Sequence, residues 1–262
     1  MRSLKARLSS PDGGSLHGLF CSTPAALTVE LIAAAGYDFV VIDLEHTLID
    51  GAQLSAMLLA ARASGIAALV RVAAPHQVAP ALDAGAQGIV FPRISGVAQA
   101  RQAVRLCHHV QHPLGANSTP GERGLNATWH SAFGRDDLAT AAAEAGRNTL
   151  VVAMIEDGAA LDALDDIAAV PGIDVLLEGA ADLSQSLGVP WQTRHPQVRA
   201  AVARIADAAH RHGKHFCALP RALEDAGLWR RQGIRMLLLG DDRGIARRAM
   251  ATHLQSHSQS ST

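Results

Sequence analysis

Two acids carry the first chemical suggestion in this chain. Glu156 closes the run LVVAMIE, and Asp182 follows the apolar part of DVLLEGAADLS. Each sits just past a short segment rich in Val, Ile or Leu, where a parallel α/β barrel collects its reactive groups. Two carboxylates placed one strand apart can hold a divalent metal. The residues that end the other apolar runs extend the same rim: Cys21 and Ser22; Asp43, Glu45 and His46; Arg71; Pro92 and Arg93. Asp157 stands beside Glu156 and Glu178 precedes Asp182, and the rim then continues through Pro220, Arg221, Asp241, Asp242 and Arg243.

This rim holds acids, a histidine and arginines but no lysine. The chain contains only Lys5, near its start, and Lys214, at the beginning of the seventh apolar run. Schiff-base chemistry needs a lysine at the reactive rim, which leaves metal-assisted chemistry, with the ion as Lewis acid on a carbonyl and as the support of an enolate. Oxygen ligands favour magnesium or manganese over zinc, and admit cobalt. Plainer roles stand beside these. Glu156 could cap the helix GAALDALDDI, and Asp182 could cap a short turn. His46 could be a hydrogen-bonded structural histidine or a general base. Arg71 ends an apolar strand and needs an anion, either a substrate carboxylate or a neighbouring acid. His108, His109 and His112, like His210, His212 and His215, lack cysteine or carboxylate partners at zinc spacing and read as surface. GDDRG near residue 240 is too poor in glycine for a phosphate cradle.

Elements that would position these groups alternate in type along the chain. LHGLFC, YDFVVID, AALVRV, GIVFPR, LVVAMIE, DVLLEG, HFCALP and RMLLLGDD read as strands, and between them lie Ala-rich amphipathic stretches such as GAQLSAMLLAARASG and HPQVRAAVARIADAAHRHG. Roughly eight βα units predict a closed (β/α)8 TIM barrel over residues 16–252, after an N-terminal segment 1–15 and before a disordered tail 253–262. The stretch from about His108 to Asn148 is far longer than the usual ~2–6 residue connection. It is expected to follow the fourth strand on the reactive face, as a loop that covers substrate or meets another subunit.

Composition bounds the setting. With 262 residues and 48% hydrophobic content, the chain suits one large core. A net charge of −1 argues against nucleic acid as a partner. Three scattered cysteines, with no CxxC pair, give neither a disulfide framework nor a zinc site and point to a reducing cytoplasm. No apolar run reaches the ~18 residues of a membrane span, so a soluble protein with no membrane partner is expected.

VVIDLEHT, ALVRV, LDAGAQGIVFPR, PGERG, AMIEDGAALDALDDIAAVPGID and EGAADLSQSLG fall in an order and spacing that resembles the HpcH/HpaI aldolases, the metal-dependent class II pyruvate aldolases. The resemblance spans roughly Leu16 to Met250. It implies a divalent metal on Glu156 and Asp182, Arg71 on the oxygens of a 2-keto acid and its enolate, and His46 as a base acting through water with help from Asp83. Ala180 and Ala181, in the second metal motif, would line the substrate. It also implies a carbon–carbon lyase acting on pyruvate or oxaloacetate with an aldehyde or acyl-CoA as second substrate, in a homo-oligomer, specifically a hexamer. Met154 stands where the family commonly has Gln, Ala180 where it has Pro, Glu178 adds an acid, and ANST lengthens the PGERG loop. These departures leave the metal and enolate chemistry intact and put the aldehyde side of the pocket in question. EGAADLSQSLG also resembles a branch of citrate synthases serving siderophore assembly from oxaloacetate and acetyl-CoA. A non-catalytic barrel that binds a keto acid is the alternative of another class.

Overall fold

In the computed structural model, which describes residues 2–10, 13–110 and 120–258, the eight apolar runs are parallel strands that close on themselves in chain order. They are β1 (Leu16–Cys21), β2 (Phe39–Asp43), β3 (Ala67–Arg71), β4 (Gly88–Phe91), β5 (Leu150–Ile155), β6 (Val175–Glu178), β7 (His215–Ala218) and β8 (Met236–Asp241). The helices are α1 (Leu4–Leu8), α2 (Ala26–Ala34), α3 (Gly51–Ser64), α4 (Val78–Ala84), α5 (Val97–Cys107) and α6 (Leu138–Asn148), then α7 (Gly158–Asp162), α8 (Leu164–Ala168), α9 (Ala180–Ser186), α10 (Pro196–Arg211), α11 (Leu223–Arg231) and α12 (Asp242–Ser258). The expected (β/α)8 barrel is the observed fold.

Strand periodicity divides the core in two. Phe39 and Val41, Ala67 and Leu69, Val152 and Met154, Val175 and Leu177, Cys217 and Leu219 fill the barrel interior. Their neighbours Val40, Ile42, Ala68, Val70, Val151, Ala153, Leu176 and Phe216 pack outward against the helices, as a side-chain period of two requires. Continuing the inward phase by one more step on β2, β3, β5 and β7 lands on Asp43, Arg71, Glu156 and Arg221. The barrel's pleat therefore selects which rim residues can face the site.

Local signals end the helices where the barrel needs turns. Asp50 accepts from Gln53 N at 2.8 Å while the Gln53 side chain returns to Asp50 N at 2.9 Å, a reciprocal cap on α3. Gly65 closes that helix with φ +70°, a conformation that glycine adopts without a Cβ penalty. At the opposite end of the barrel from the rim, Leu4 and Leu8 of α1 join the interior cluster fully buried. Lys5 Nζ there lies 2.8 Å from Asp174 Oδ1.

Two expectations about segments are corrected. The long stretch after His108 follows α5, not β4, and in a barrel whose helices run back against the strands, a helix-to-strand connection lies at the end away from the reactive rim. It is also not all loop: Asp137 accepts from Thr140 N at 2.8 Å and starts α6. The ANST insertion, residues 116–119, lies outside the described residues. At the C-terminus α12 runs on to Ser258, past the point where a disordered tail was expected; residues 259–262 lie outside the description. Among the described residues no helix is long and apolar enough to cross a membrane.

Candidate active site

A cavity of about 430 Å³ opens at the strand ends, with Phe20, His46, Arg71, Met154, Asp182 and Arg221 among its walls and Ala180 and Ala181 along one side. Arg71 is its most constrained cation. The side chain is buried, Nε donates to Asp43 Oδ1 at 2.8 Å, and Nη1 lies 3.2 Å from Glu45 Oε2. Its guanidinium stands 4.8 Å above the Phe20 ring, and Nη1 approaches Met154 Sδ at 4.0 Å. Asp43 and Glu45 thus supply the protein anions that a buried guanidinium needs. Met154 offers a soft sulfur where a side-chain amide would have given a stronger hydrogen bond. His46, half-exposed, has its Nε2 3.6 Å from Glu45 Oε2.

Glu156 follows β5 and is only 4% exposed. Its Oε1 accepts from Arg93 N at 2.6 Å. Burial pushes its carboxyl up to about 7; the Arg93 hydrogen bond and Arg71 offset part of this, while Glu45 and Asp182 add repulsion. Asp182 lies in the first turn of α9 and is exposed to the cavity. Neither acid serves the capping role that its position could have implied. Asp157 caps α7, accepting from Ala160 N at 2.7 Å, and Gly179 occupies the N-cap of α9. A Cβ on Gly179 would come within 2.6 Å of Glu156 Oε2 and 2.5 Å of Glu156 Cβ, so the lack of a side chain there is what lets β6 approach the carboxylate.

These residues fit a divalent ion. Glu156 is a carboxylate raised above its ordinary range chiefly by burial, with Glu45 and Asp182 adding to the rise. A cation beside it would favour its ionised form. Among the described residues no group of three or more His, Cys, Asp or Glu side chains converges as a closed metal cage. Two acids, with the remaining positions left to substrate oxygens and water, is the pattern of hard cations such as magnesium.

Within one chain Asp83 stands apart from His46. Asp83 lies at the C-terminal end of α4, on the far side of the barrel, where Arg123 Nη2 donates to it at 2.6 Å and Asn126 Nδ2 lies at 3.4 Å. Arg123 belongs to the PGERG turn, so that motif braces the base of the barrel. Sequence reading also passed over Trp191, which stands at the cavity mouth 83% exposed with φ +64°. A bulky residue in the left-handed region is strained, a condition that clusters at functional sites. A larger cavity, about 550 Å³, lies between α10 and α11; it touches Glu178 and Arg221 but none of His46, Arg71, Glu156 and Asp182, so it is not the reaction site.

Residues 16–249 match the description of the HpcH/HpaI aldolase/citrate lyase family. The chain belongs to that family. Its members are metal-dependent carbon–carbon lyases, and this chain is an enzyme of that class. The hydroxypyruvate/pyruvate aldolase of Paraburkholderia phytofirmans is 35% identical over 246 residues, covering 91% of each chain. The crystal structure of citrate synthase SbnG superposes with a TM-score of 0.88 at 43% identity, covering 98% of both chains. A family protein from Burkholderia cenocepacia gives 0.87 at 34% identity, covering 98% of this chain and all of that one.

Proposed function

We propose that Glu156 and Asp182 hold one divalent ion, Mg2+ or Mn2+ with Co2+ as a substitute, and that the cavity above them processes a 2-keto acid such as pyruvate or oxaloacetate. The observation that carries this reading is Glu156: a buried carboxylate, crowded by two further acids and freed from capping by Asp157. When bound, the ion supplies a Lewis acid for the keto carbonyl. Arg71, fixed by Asp43 and Glu45, presents its remaining donors to the oxygens on which negative charge develops. In the cleavage direction the C4 hydroxyl gives up its proton, the C3–C4 bond of the substrate breaks, the electron pair stays on C3 as an enolate, and an aldehyde leaves. His46, its Nε2 3.6 Å from Glu45 Oε2 and open to solvent, takes up the C4 hydroxyl proton and returns a proton to C3, directly or through water. Ala180 and Ala181 leave room for the substrate beside α9. Assembly as a homo-oligomer, a hexamer on the family pattern, is supported by α12, whose Met250 and Leu254 are about 70% exposed. Reducing conditions suit three unpaired, buried cysteines.

A second reading has its own support. The 43% identity to citrate synthase SbnG extends over 98% of both chains. In that reaction oxaloacetate and acetyl-CoA condense, and water hydrolyses the thioester to free CoA. Incubating the Mg2+-loaded enzyme with both substrates and measuring free thiol separates the two. Thiol release favours citrate formation; pyruvate release from 4-hydroxy-2-keto acids favours the aldolase. Full turnover of either kind in excess chelator would overturn the metal reading common to both.

A further inference from the structure

Arg221 is the cavity cation to which the chemistry above gives no task. Inward phase on β7 runs through Cys217 and Leu219 to Arg221, and its side chain shares the cavity wall with His46, Arg71 and Asp182. β3 and β7 stand four strands apart in a ring of eight, so Arg71 and Arg221 enter the cavity from opposite walls. The two acids, after β5 and β6, lie on the arc between them.

The two arginines are committed to different degrees. Arg71 has bound Nε and Nη1 to protein acids and lies over an aromatic ring. The Arg221 side chain is 29% exposed, and its guanidinium has one hydrogen bond among the described residues, Nη2 to Glu178 Oε2 at a loose 3.4 Å. A guanidinium carries five N–H donors in a planar fork suited to carboxylates. Glu178 anchors it from behind: the acid is buried, and its other oxygen accepts from Leu219 N at 2.8 Å. The backbone is pinned as well, with Arg221 N donating to Asp225 Oδ2 at 3.1 Å. Of the other exposed rim arginines, Arg93 lines a separate cleft beside Gln99 and Leu106, with its Nε 3.7 Å from Glu45 Oε1, and Arg243 donates to Ser22 O.

We infer that Arg221 is a specificity-determining residue that receives a second carboxylate, making the preferred keto acid a four-carbon dicarboxylate and not a monoacid. The inference rests on the metal-site reading: with one carboxylate and the keto oxygen at Glu156, Asp182 and Arg71, the far end of a four-carbon chain is directed toward the opposite wall. Glu178 is a positioning residue for this contact. If Arg221 served only to neutralise Glu178, it would not discriminate between ligands.

Malate and lactate test this directly, because they are unreactive 2-hydroxy acids that differ by one carboxylate. Calorimetric titration of the Mg2+-loaded protein is expected to show malate binding at least about 10-fold more tightly than lactate. Arg221→Gln should bring that ratio close to one, a loss of about 10-fold or more, and Arg221→Lys should restore part of it. Should Arg221→Gln fail to fold, Arg221→Lys and Glu178→Gln are read by the same ratio, each expected to lower it. A wild-type ratio near one, or an unchanged ratio in folded variants, overturns the inference. Failure of both ligands to bind the wild-type protein would instead bring down the metal-site reading beneath it.

Discussion

Glu156, Gly179 and Glu178 show how few atoms separate a reactive carboxylate from a structural one. Gly179 is the sharpest case, since a methyl group there would overlap both the carboxylate and Cβ of Glu156. Gly179→Ala should weaken Mn2+ binding at least tenfold and cost about 1–3 kcal/mol in stability; calorimetry and urea unfolding measure the two effects. Glu178 offers a pH test. Burial raises its carboxyl, Asp225 adds to the rise, and Arg221 with the backbone donors of Leu219 and Ala180 offsets part of it. The native state therefore holds this proton more tightly than the unfolded chain. That contribution to stability is complete below the ordinary carboxylate range and fades as pH rises through that range toward the folded-state value. Glu178→Gln, which cannot ionise, should gain stability relative to wild type as pH is raised from 5 to 8, read by urea unfolding; a pH-independent difference would contradict it. Reading residues in sequence found Glu156, Asp182, His46 and Arg71, which the structure collects around one cavity except that Glu156 lies beneath its wall. It passed over Arg221 as a ligand group, although counting inward phase from Cys217 would have singled it out. Trp191 gave no such signal, because its left-handed backbone follows from loop geometry and not from strand period.

At the scale of elements, the cap of α7 separates two roles that neighbouring acids could have exchanged. Asp157 holds Ala160 N and also accepts from Ser95 Oγ. Asp157→Ala should cost about 1 kcal/mol, seen as a lower Tm, while Mn2+ binding is retained. Loss of the metal in that variant would contradict the assignment of capping to Asp157 and ligation to Glu156. All eight strands were legible because each is a short apolar run bounded by Gly, Pro or a helix start. The helix α6 was not, because its eleven residues sit behind PGERG and a run of polar residues that mask its Asp137 cap. α12 escaped for a related reason: its only buried residue is Asp242, so it shows no apolar stripe turned toward the barrel. The insertion between α5 and β5 was assigned to the wrong end because it was counted from the preceding strand and not from the helix it follows.

For the whole molecule, the closed ring separates chemistry from support. Lys5 is tied to Asp174, and Lys214 Nζ donates to Val170 O at 3.3 Å, both away from the rim, as a mechanism without a Schiff base requires. Within the same chain Arg123 pairs with Asp83 at the far end. What remains at the rim is a pair of acids between two arginines, and the central claim is that this pair holds one metal ion. Mn2+ binding, counted by electron paramagnetic resonance in the wild type, Glu156→Gln, Asp182→Asn and the double variant, tests it most directly. The account predicts one tightly bound ion per chain in the wild type, at least 100-fold weaker binding in each single variant, and none in the double variant. Wild-type binding in the double variant would contradict it.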